Sequence, residues 1–203
     1  MKTINVYIEE KLRISSNTIH NEHTLFPKNR PELIKMIEQE IKKNGNKCNL
    51  NHIDVSQITD LSKLFFSSNF IGDISNWDVS NVTNMDSMFR FSKFNGDISN
   101  WDVSNVTNMS FMFQSSKFTG DLSNWDVSNV ENMSNMFDSS EFTGKNGDIS
   151  NWDVSNVTDM ISMFRDSKFN GDISDWNINN NCKLLNIFAD CPLENNPPKW
   201  YKG

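Results

Sequence analysis

The chain has little of what several common protein classes require. Its 203 residues include only three cysteines, eight glycines and five prolines, and the formal net charge is -7. Cys48, Cys182 and Cys191 are too few and too widely spaced for a disulfide framework or a zinc site. An acidic chain with a pI of about 4.9 also lacks the basic stripe that binds a phosphate backbone. We therefore expect free thiols and no nucleic acid as a partner.

Long hydrophobic runs are missing as well. No segment approaches the roughly 20 consecutive apolar residues of a membrane span, so we expect no membrane insertion. The first residues, MKTINVYIEEKLRIS, carry acidic side chains early and have no apolar centre, unlike a secretory signal. On this ground we expect a cytoplasmic protein.

Groups that perform catalysis or hold cofactors are equally scarce. The three histidines, His20, His23 and His52, lie outside the complete copies of the repeat described below. No Ser or Cys occurs in a recognised nucleophile motif, and there is no glycine-rich phosphate loop. His20 and His23 lack a third metal ligand. We expect no catalytic residue, cofactor or metal site, and we interpret the chain as a non-enzyme.

One sequence motif with a central tryptophan recurs along most of the chain. Internal repeats of 20–50 residues are the signature of stacked repeat architectures. The interval between tryptophans is 24 residues, except for one of 27 that contains the extra residues Lys145, Asn146 and Gly147. The six tryptophans are Trp77, Trp101, Trp125, Trp152, Trp176 and Trp200.

Within one copy, the apolar spacing predicts two short elements. Trp101 and Val103 are two residues apart, which is typical of a strand with one buried face. Met109, Met112 and Phe113 are spaced as in a single helical or 3₁₀ turn. The prediction is an α/β repeat solenoid of about five 24-residue coils, with a parallel sheet and stacked tryptophans.

The motif FNGDISNWDVSNVTNMSFMF closely resembles the repeat of BspA-like bacterial surface proteins, a divergent branch of the leucine-rich-repeat proteins. The resemblance covers about residues 50–193. It implies a leucine-rich-repeat-like, right-handed coil. Many members of that family are exported and linked to adhesion, so the resemblance also implies cell-surface display or secretion as an alternative to the cytoplasm.

The ends of the chain do not repeat and are interpreted as caps. In the N-terminal cap, residues 1–49, alternating apolar residues around Glu9, Glu10 and Lys11 predict a β-hairpin. A proline at the first turn and a following glycine predict a helix from Pro31 to Asn44. The solenoid is assigned to 50–193 and a C-terminal cap or tail to 194–203. The hairpin positions are Val6, Ile8, Leu12 and Ile14.

Acidic residues recur in register and predict an exposed ladder. Asp and Asn side chains commonly bond turn amides, and this is the reading we favour. Stacked carboxylates also suit calcium, which the sequence leaves open. The ladder is Asp78, Asp102, Asp126 and Asp153, and a second row is Asp73, Asp97, Asp121, Asp148 and Asp172.

Comparison of the copies with one another separates the scaffold from a variable surface. Large apolar residues at variable positions gather toward the first coils, where either the N-terminal cap covers them or they form a binding patch. The candidate partner surface is Phe66, Ile71, Phe91 and Phe111. We expect a protein-interaction module with a protein partner. The alternatives are a BspA-like surface adhesin and a small cytosolic inhibitor of another macromolecule, of mobile-element or phage type. The oligomeric state is not predicted.

Overall fold

The computed structural model describes residues 23–202. This range contains one α-helix, α1 at Arg30–Asn44, and one 3₁₀ helix at Pro192–Glu194. No helix within these residues is long and apolar enough to cross a membrane. The predicted β-hairpin falls outside the described residues.

The predicted parallel sheet, and with it the α/β solenoid of leucine-rich-repeat type, is wrong for the described residues. Adjacent copies meet only in isolated parallel bridges, such as Asn84 with Asn108, and no continuous strand forms. The reason is local turn formation. The backbone N–H of Trp101 donates to the Ile98 carbonyl, and the backbone N–H of Val106 donates to the Val103 carbonyl, in each case three residues earlier. These amides are therefore not available for a ladder between neighbouring strands.

The predicted helical turn at the Met-Phe step is also wrong. The segment of each coil that contains this step, termed the Met-Phe segment (residues 109–116 in one copy), is a series of β-turns in which an N–H donates to the carbonyl three residues earlier, as Met112 does to Met109. Phe111 and Ser115 adopt left-handed backbone with φ of 57° and 53°. Each alternate N–H, beginning with that of Met109, points out of its own coil and binds a carbonyl of the next coil at 2.8–2.9 Å.

These bonds give the stack a direction. Met109 donates to Asn132, which lies one coil further along the chain, and Met85 donates to Asn108 in the same sense. Alternate peptide groups of the Met-Phe segments are thus aligned, with N–H groups toward the C-terminal end and carbonyls toward the N-terminal end. Aligned peptide dipoles add, as they do in a helix.

The core lies inside the coils and consists of rows of identical side chains. Trp77 and Trp101 stack with ring centroids 6.4 Å apart, and Phe89 and Phe113 stack at 5.6 Å. All six tryptophans donate their indole N–H to a carbonyl of the preceding coil, as Trp101 does to Ile74. Buried indoles need such a partner, so each tryptophan depends on the coil before it.

The helix α1 covers the N-terminal end of the stack. Asn29 caps its first turn by accepting from the Glu32 N–H, and the helix lies where the sequence predicts one. Leu33 and Ile37 are buried in the core of the first coil. Arg30 donates to the Ser62 carbonyl, one of the carbonyls that face outward at this end. The helix therefore buries apolar side chains against the first coil and binds one of its outward carbonyls.

One ion pair with a buried carboxylate and a half-exposed guanidinium links three coils. Asp138 is fully buried, and its carboxylate accepts two bonds from the Arg165 guanidinium, at 3.1 and 3.0 Å. The Gln114 amide donates to the same carboxylate at 2.5 Å. This bidentate pairing stabilises the charged forms of both side chains. The hydrogen bond to Asp138 accordingly raises the pKa of Arg165.

The substitution Arg165→Met leaves the Asp138 carboxylate buried without its cation. We expect it to lower the free energy of unfolding by about 3 kcal/mol, the loss typical of breaking a buried pair from one side. Adding Asp138→Asn removes the charge and is expected to recover part of that loss. Urea titration measures both. Equal stabilities of wild type and Arg165→Met would contradict the assignment.

Candidate protein-binding surface

Three of the four residues predicted to bind a partner are well exposed. The exposed fractions are 44% for Phe66, 44% for Ile71 and 46% for Phe91, whereas Phe111 is half-buried. α1 does not cover them, because its buried residues Leu33 and Ile37 pack inside the first coil instead. Of the two sequence-based explanations, coverage by the predicted helix does not apply to these side chains.

Three of the four predicted side chains, those of Phe66, Phe91 and Phe111, surround Arg90, which was not predicted as a site residue. Its guanidinium carbon lies 4.9 Å from the ring centroids of both Phe91 and Phe111, and 6.0 Å from that of Phe66. Phe66 and Phe91 also meet edge to face at 5.8 Å. We call these four residues the aromatic–arginine cluster. Cation–π contacts of this kind contribute about 0.5–2 kcal/mol each.

Ile71, the fourth predicted residue, is exposed and follows the buried Phe70, and its N–H donates to the carbonyl of Asn46, just after α1. Its part in a binding surface stays a prediction, and Arg90 lies at the centre of the other three side chains.

The backbone of the cluster is strained. Phe91 and Phe111 have φ of 58° and 57°, in the left-handed region, which bulky side chains rarely adopt. Left-handed backbone costs about 1–2 kcal/mol per L-residue. Other coils place small polar residues at the corresponding positions, such as Asn135 and Ser139. Strain of this kind concentrates at functional sites, where a particular side chain is retained despite its cost.

Arg90 also differs from the equivalent arginine of a later coil. Arg165 occupies the same row, and the preceding coil offers it the carboxylate of Asp138. The coil before Arg90 offers the ring of Phe66 instead. Within residues 23–202 no carboxylate lies within ion-pair distance of Arg90, and its buried Nε has no hydrogen-bond acceptor. Among the residues that the structure describes, the cluster thus holds a cation without a counter-charge.

The acidic ladder is exposed at all four predicted positions. Each carboxylate forms a local turn with the serine two residues later: Asp102 accepts from the hydroxyl of Ser104 at 2.6 Å and from its N–H at 3.1 Å. These two bonds, the hydroxyl first, lower the pKa of Asp102. Asp97 of the second row forms the same turn with Ser99. Both rows therefore act as turn formers.

Metal ligands and reactive thiols are not assembled in the part of the chain that the structure describes. No group of three or more His, Cys, Asp or Glu side chains in residues 23–202 could hold a metal ion. Cys48, Cys182 and Cys191 are free. Burial, followed by the charge of Asp159, raises the pKa of the Cys182 thiol to about 11, so its thiolate is not populated near neutral pH.

Comparison with known proteins assigns the repeat to a family. The model of the family described as "Mycoplasma protein of unknown function, DUF285" matches residues 32–146 and 117–201. The two matches together span most of the chain, which therefore belongs to this family. No curated protein and no solved structure matches.

The serine hydroxyls of the ladder make a pH-dependent contribution to stability. A carboxyl whose pKa is lowered in the folded state stabilises the fold above its unfolded pKa, and loses this effect as the pH falls through the folded pKa. We expect Ser104→Ala to lower the melting temperature at pH 7. The difference from wild type should shrink below about pH 4, the ordinary range of an Asp carboxyl. Thermal unfolding measured from pH 7 to pH 2.5 tests this, and a pH-independent difference would contradict it.

Proposed function

We propose that this member of the DUF285 family is a non-enzymatic binding module that holds another protein through the aromatic–arginine cluster. The observation that carries the proposal is that Phe91 and Phe111 retain strained backbone in order to place their rings around Arg90. Other coils meet the same backbone requirement with Ser, Asn, Asp or, at position 63, Lys, so the backbone does not itself require these rings.

The cluster has the composition of an interface hot spot. Hot spots are rich in aromatic residues and arginine, and they lie where a few side chains can be fully desolvated. Phe66 and Phe91 are already exposed, and the Met-Phe segments that carry them are each fixed by hydrogen bonds donated to the next coil. A preorganised surface loses little side-chain entropy on binding.

The charge of the cluster indicates the chemistry of the partner. Arg90 has the guanidinium of Arg165 but lacks the carboxylate that Arg165 receives from Asp138. Lys63, on the adjacent coil, is exposed and adds a second cation. The partner segment is therefore one with an Asp or Glu side chain that pairs with Arg90, flanked by apolar side chains that cover the rings.

The double substitution Phe91→Ser plus Phe111→Ser tests the proposal. It introduces the serine that other coils place at these left-handed positions, so we expect the free energy of unfolding to change by less than about 1 kcal/mol. Partners captured from the native host by wild type are identified by mass spectrometry and purified. Their affinity for the double variant is expected to fall at least tenfold, about 1.4 kcal/mol.

Two single variants define the contact more closely. Phe26→Ser is the matched control, because Phe26 is a phenylalanine with 60% exposure that lies outside the cluster. It should bind as wild type does. Arg90→Gln introduces the residue of the next coil, Gln114, and should weaken binding chiefly at low salt. A double variant that binds every purified partner with wild-type affinity would disprove the proposal.

A further inference from the structure

Two coils of the stack carry an arginine at the same position of the repeat, and the surroundings of the two side chains differ. The position holds Arg90 in one coil and Arg165 three coils later. Arg165 donates two hydrogen bonds to the carboxylate of Asp138 in the preceding coil. Asp138 first, and then Asp166 and Asp190, raise the pKa of Arg165. The later arginine is therefore surrounded by three carboxylates.

The three corresponding positions around Arg90 contain no acidic residue. They are occupied by Phe66, Phe91 and Ser115. The two ring centroids lie 6.0 Å and 4.9 Å from the guanidinium carbon of Arg90. Arg90 thus has the surroundings of Arg165 with all three carboxylates replaced.

One serine is common to both surroundings. The Ser139 hydroxyl donates to the Asp138 carboxylate at 3.1 Å and lies 3.2 Å from a carboxylate oxygen of Asp166. Ser67 has the same position in the coil before Arg90, and its N–H donates to the Arg90 carbonyl at 2.8 Å. Ser67 is exposed, and its hydroxyl forms no hydrogen bond within the part of the chain that the structure describes. The hydroxyl that binds carboxylates beside the later arginine is thus present here without a carboxylate.

We propose that Arg90 and Ser67 form an anion site that binds the carboxylate of a glutamate or aspartate side chain of the partner. This inference rests on the proposed function, because it names the group that the aromatic–arginine cluster recognises. The guanidinium and the hydroxyl each donate a charge-assisted hydrogen bond to the same carboxylate, as their counterparts do three coils later.

The rings restrict the direction from which this carboxylate approaches. Phe66 occupies the position that corresponds to Asp138, so its ring covers the guanidinium on the side of the preceding coil. Ser67 and Ser115, with φ of 52° and 53°, are the small residues on either side of Phe91 in its row. The carboxylate therefore lies beside the ring of Phe91, and the apolar residue next to it in the partner covers that ring.

The probes are a blocked peptide, Gly-Leu-Glu-Phe-Gly, and an analogue with Gln in place of Glu. Binding to the full chain is followed by NMR titration. We expect the glutamate peptide to bind at least tenfold more tightly than the glutamine peptide, a difference of about 1.4 kcal/mol. Ser67→Gly removes the hydroxyl without adding backbone strain and should abolish most of this preference. Ser139→Gly is the matched control, because it makes the same change beside Arg165, and it should leave the preference unchanged.

A second pair of variants supplies the carboxylate from within the chain. Ser115→Asp places an acidic side chain at the position that Asp190 has beside Arg165. It should lower the affinity for the glutamate peptide at least tenfold, about 1.4 kcal/mol. Ser115→Asn has nearly the same shape without the charge, also tolerates left-handed backbone, and should bind as wild type does.

Three results would overturn the proposal. They are equal affinities for the two peptides, a preference that survives Ser67→Gly, and no binding of the glutamate peptide at about 5 mM. A native partner that is lost from Phe91→Ser plus Phe111→Ser, but that Ser67→Gly and Ser115→Asp still bind with wild-type affinity, would disprove the carboxylate site while the binding surface of the proposed function stands.

Discussion

The structure depends on one interaction, the hydrogen bond that an N–H of a Met-Phe segment donates to a carbonyl of the next coil. Phe113 donates to Met136 in this way, and the pattern recurs along the stack. A single bond of this type contributes only about 0.5–1.5 kcal/mol to the free energy of unfolding. A buried amide left without an acceptor lowers that free energy by about 1–3 kcal/mol. Because each coil satisfies the amides of its neighbour, no coil is stable alone. Stability is then carried by nearest-neighbour contacts along one dimension.

The same constraint explains the surface. For alternate N–H groups to point along the stack, two residues of each coil adopt left-handed backbone. At these two positions most coils have Ser, Asn or Asp. Lys63, Phe91 and Phe111 are the large exceptions, and the two phenylalanines surround Arg90. The candidate binding surface thus lies where bulky phenylalanines occupy left-handed positions that favour small polar residues. At the N-terminal end of the stack, Arg30 of α1 donates to the outward carbonyl of Ser62.

Much of the core could be predicted from the sequence, because burial follows directly from the period of apolar residues. The tryptophan stacking and the helix at Arg30–Asn44 are confirmed. The sheet and the helical turn were wrong because apolar spacing shows which side chains are buried but not where amides point. Met109, Met112 and Phe113 are spaced equally well for a helix and for successive turns. The missed signal was the recurrence of small polar residues four positions apart, such as Asn135 and Ser139.

The candidate surface was predictable only in part. Comparison of the copies drew attention to Phe66, Phe91 and Phe111, but the role of Arg90 depends on distances between coils, which a single sequence does not contain. Ile71 was included because it is apolar and variable; it is exposed, and its place in the surface stays a prediction.

Hydrogen-bond scalar couplings between amide nitrogens and carbonyl carbons, measured by NMR on the isotope-labelled chain, test the central interaction most directly. The structure predicts couplings from the nitrogens of Met109, Phe111 and Phe113 to the carbonyls of Asn132, Ser134 and Met136. Couplings from these nitrogens to carbonyls four residues earlier in their own coil, as in a helix, would contradict it.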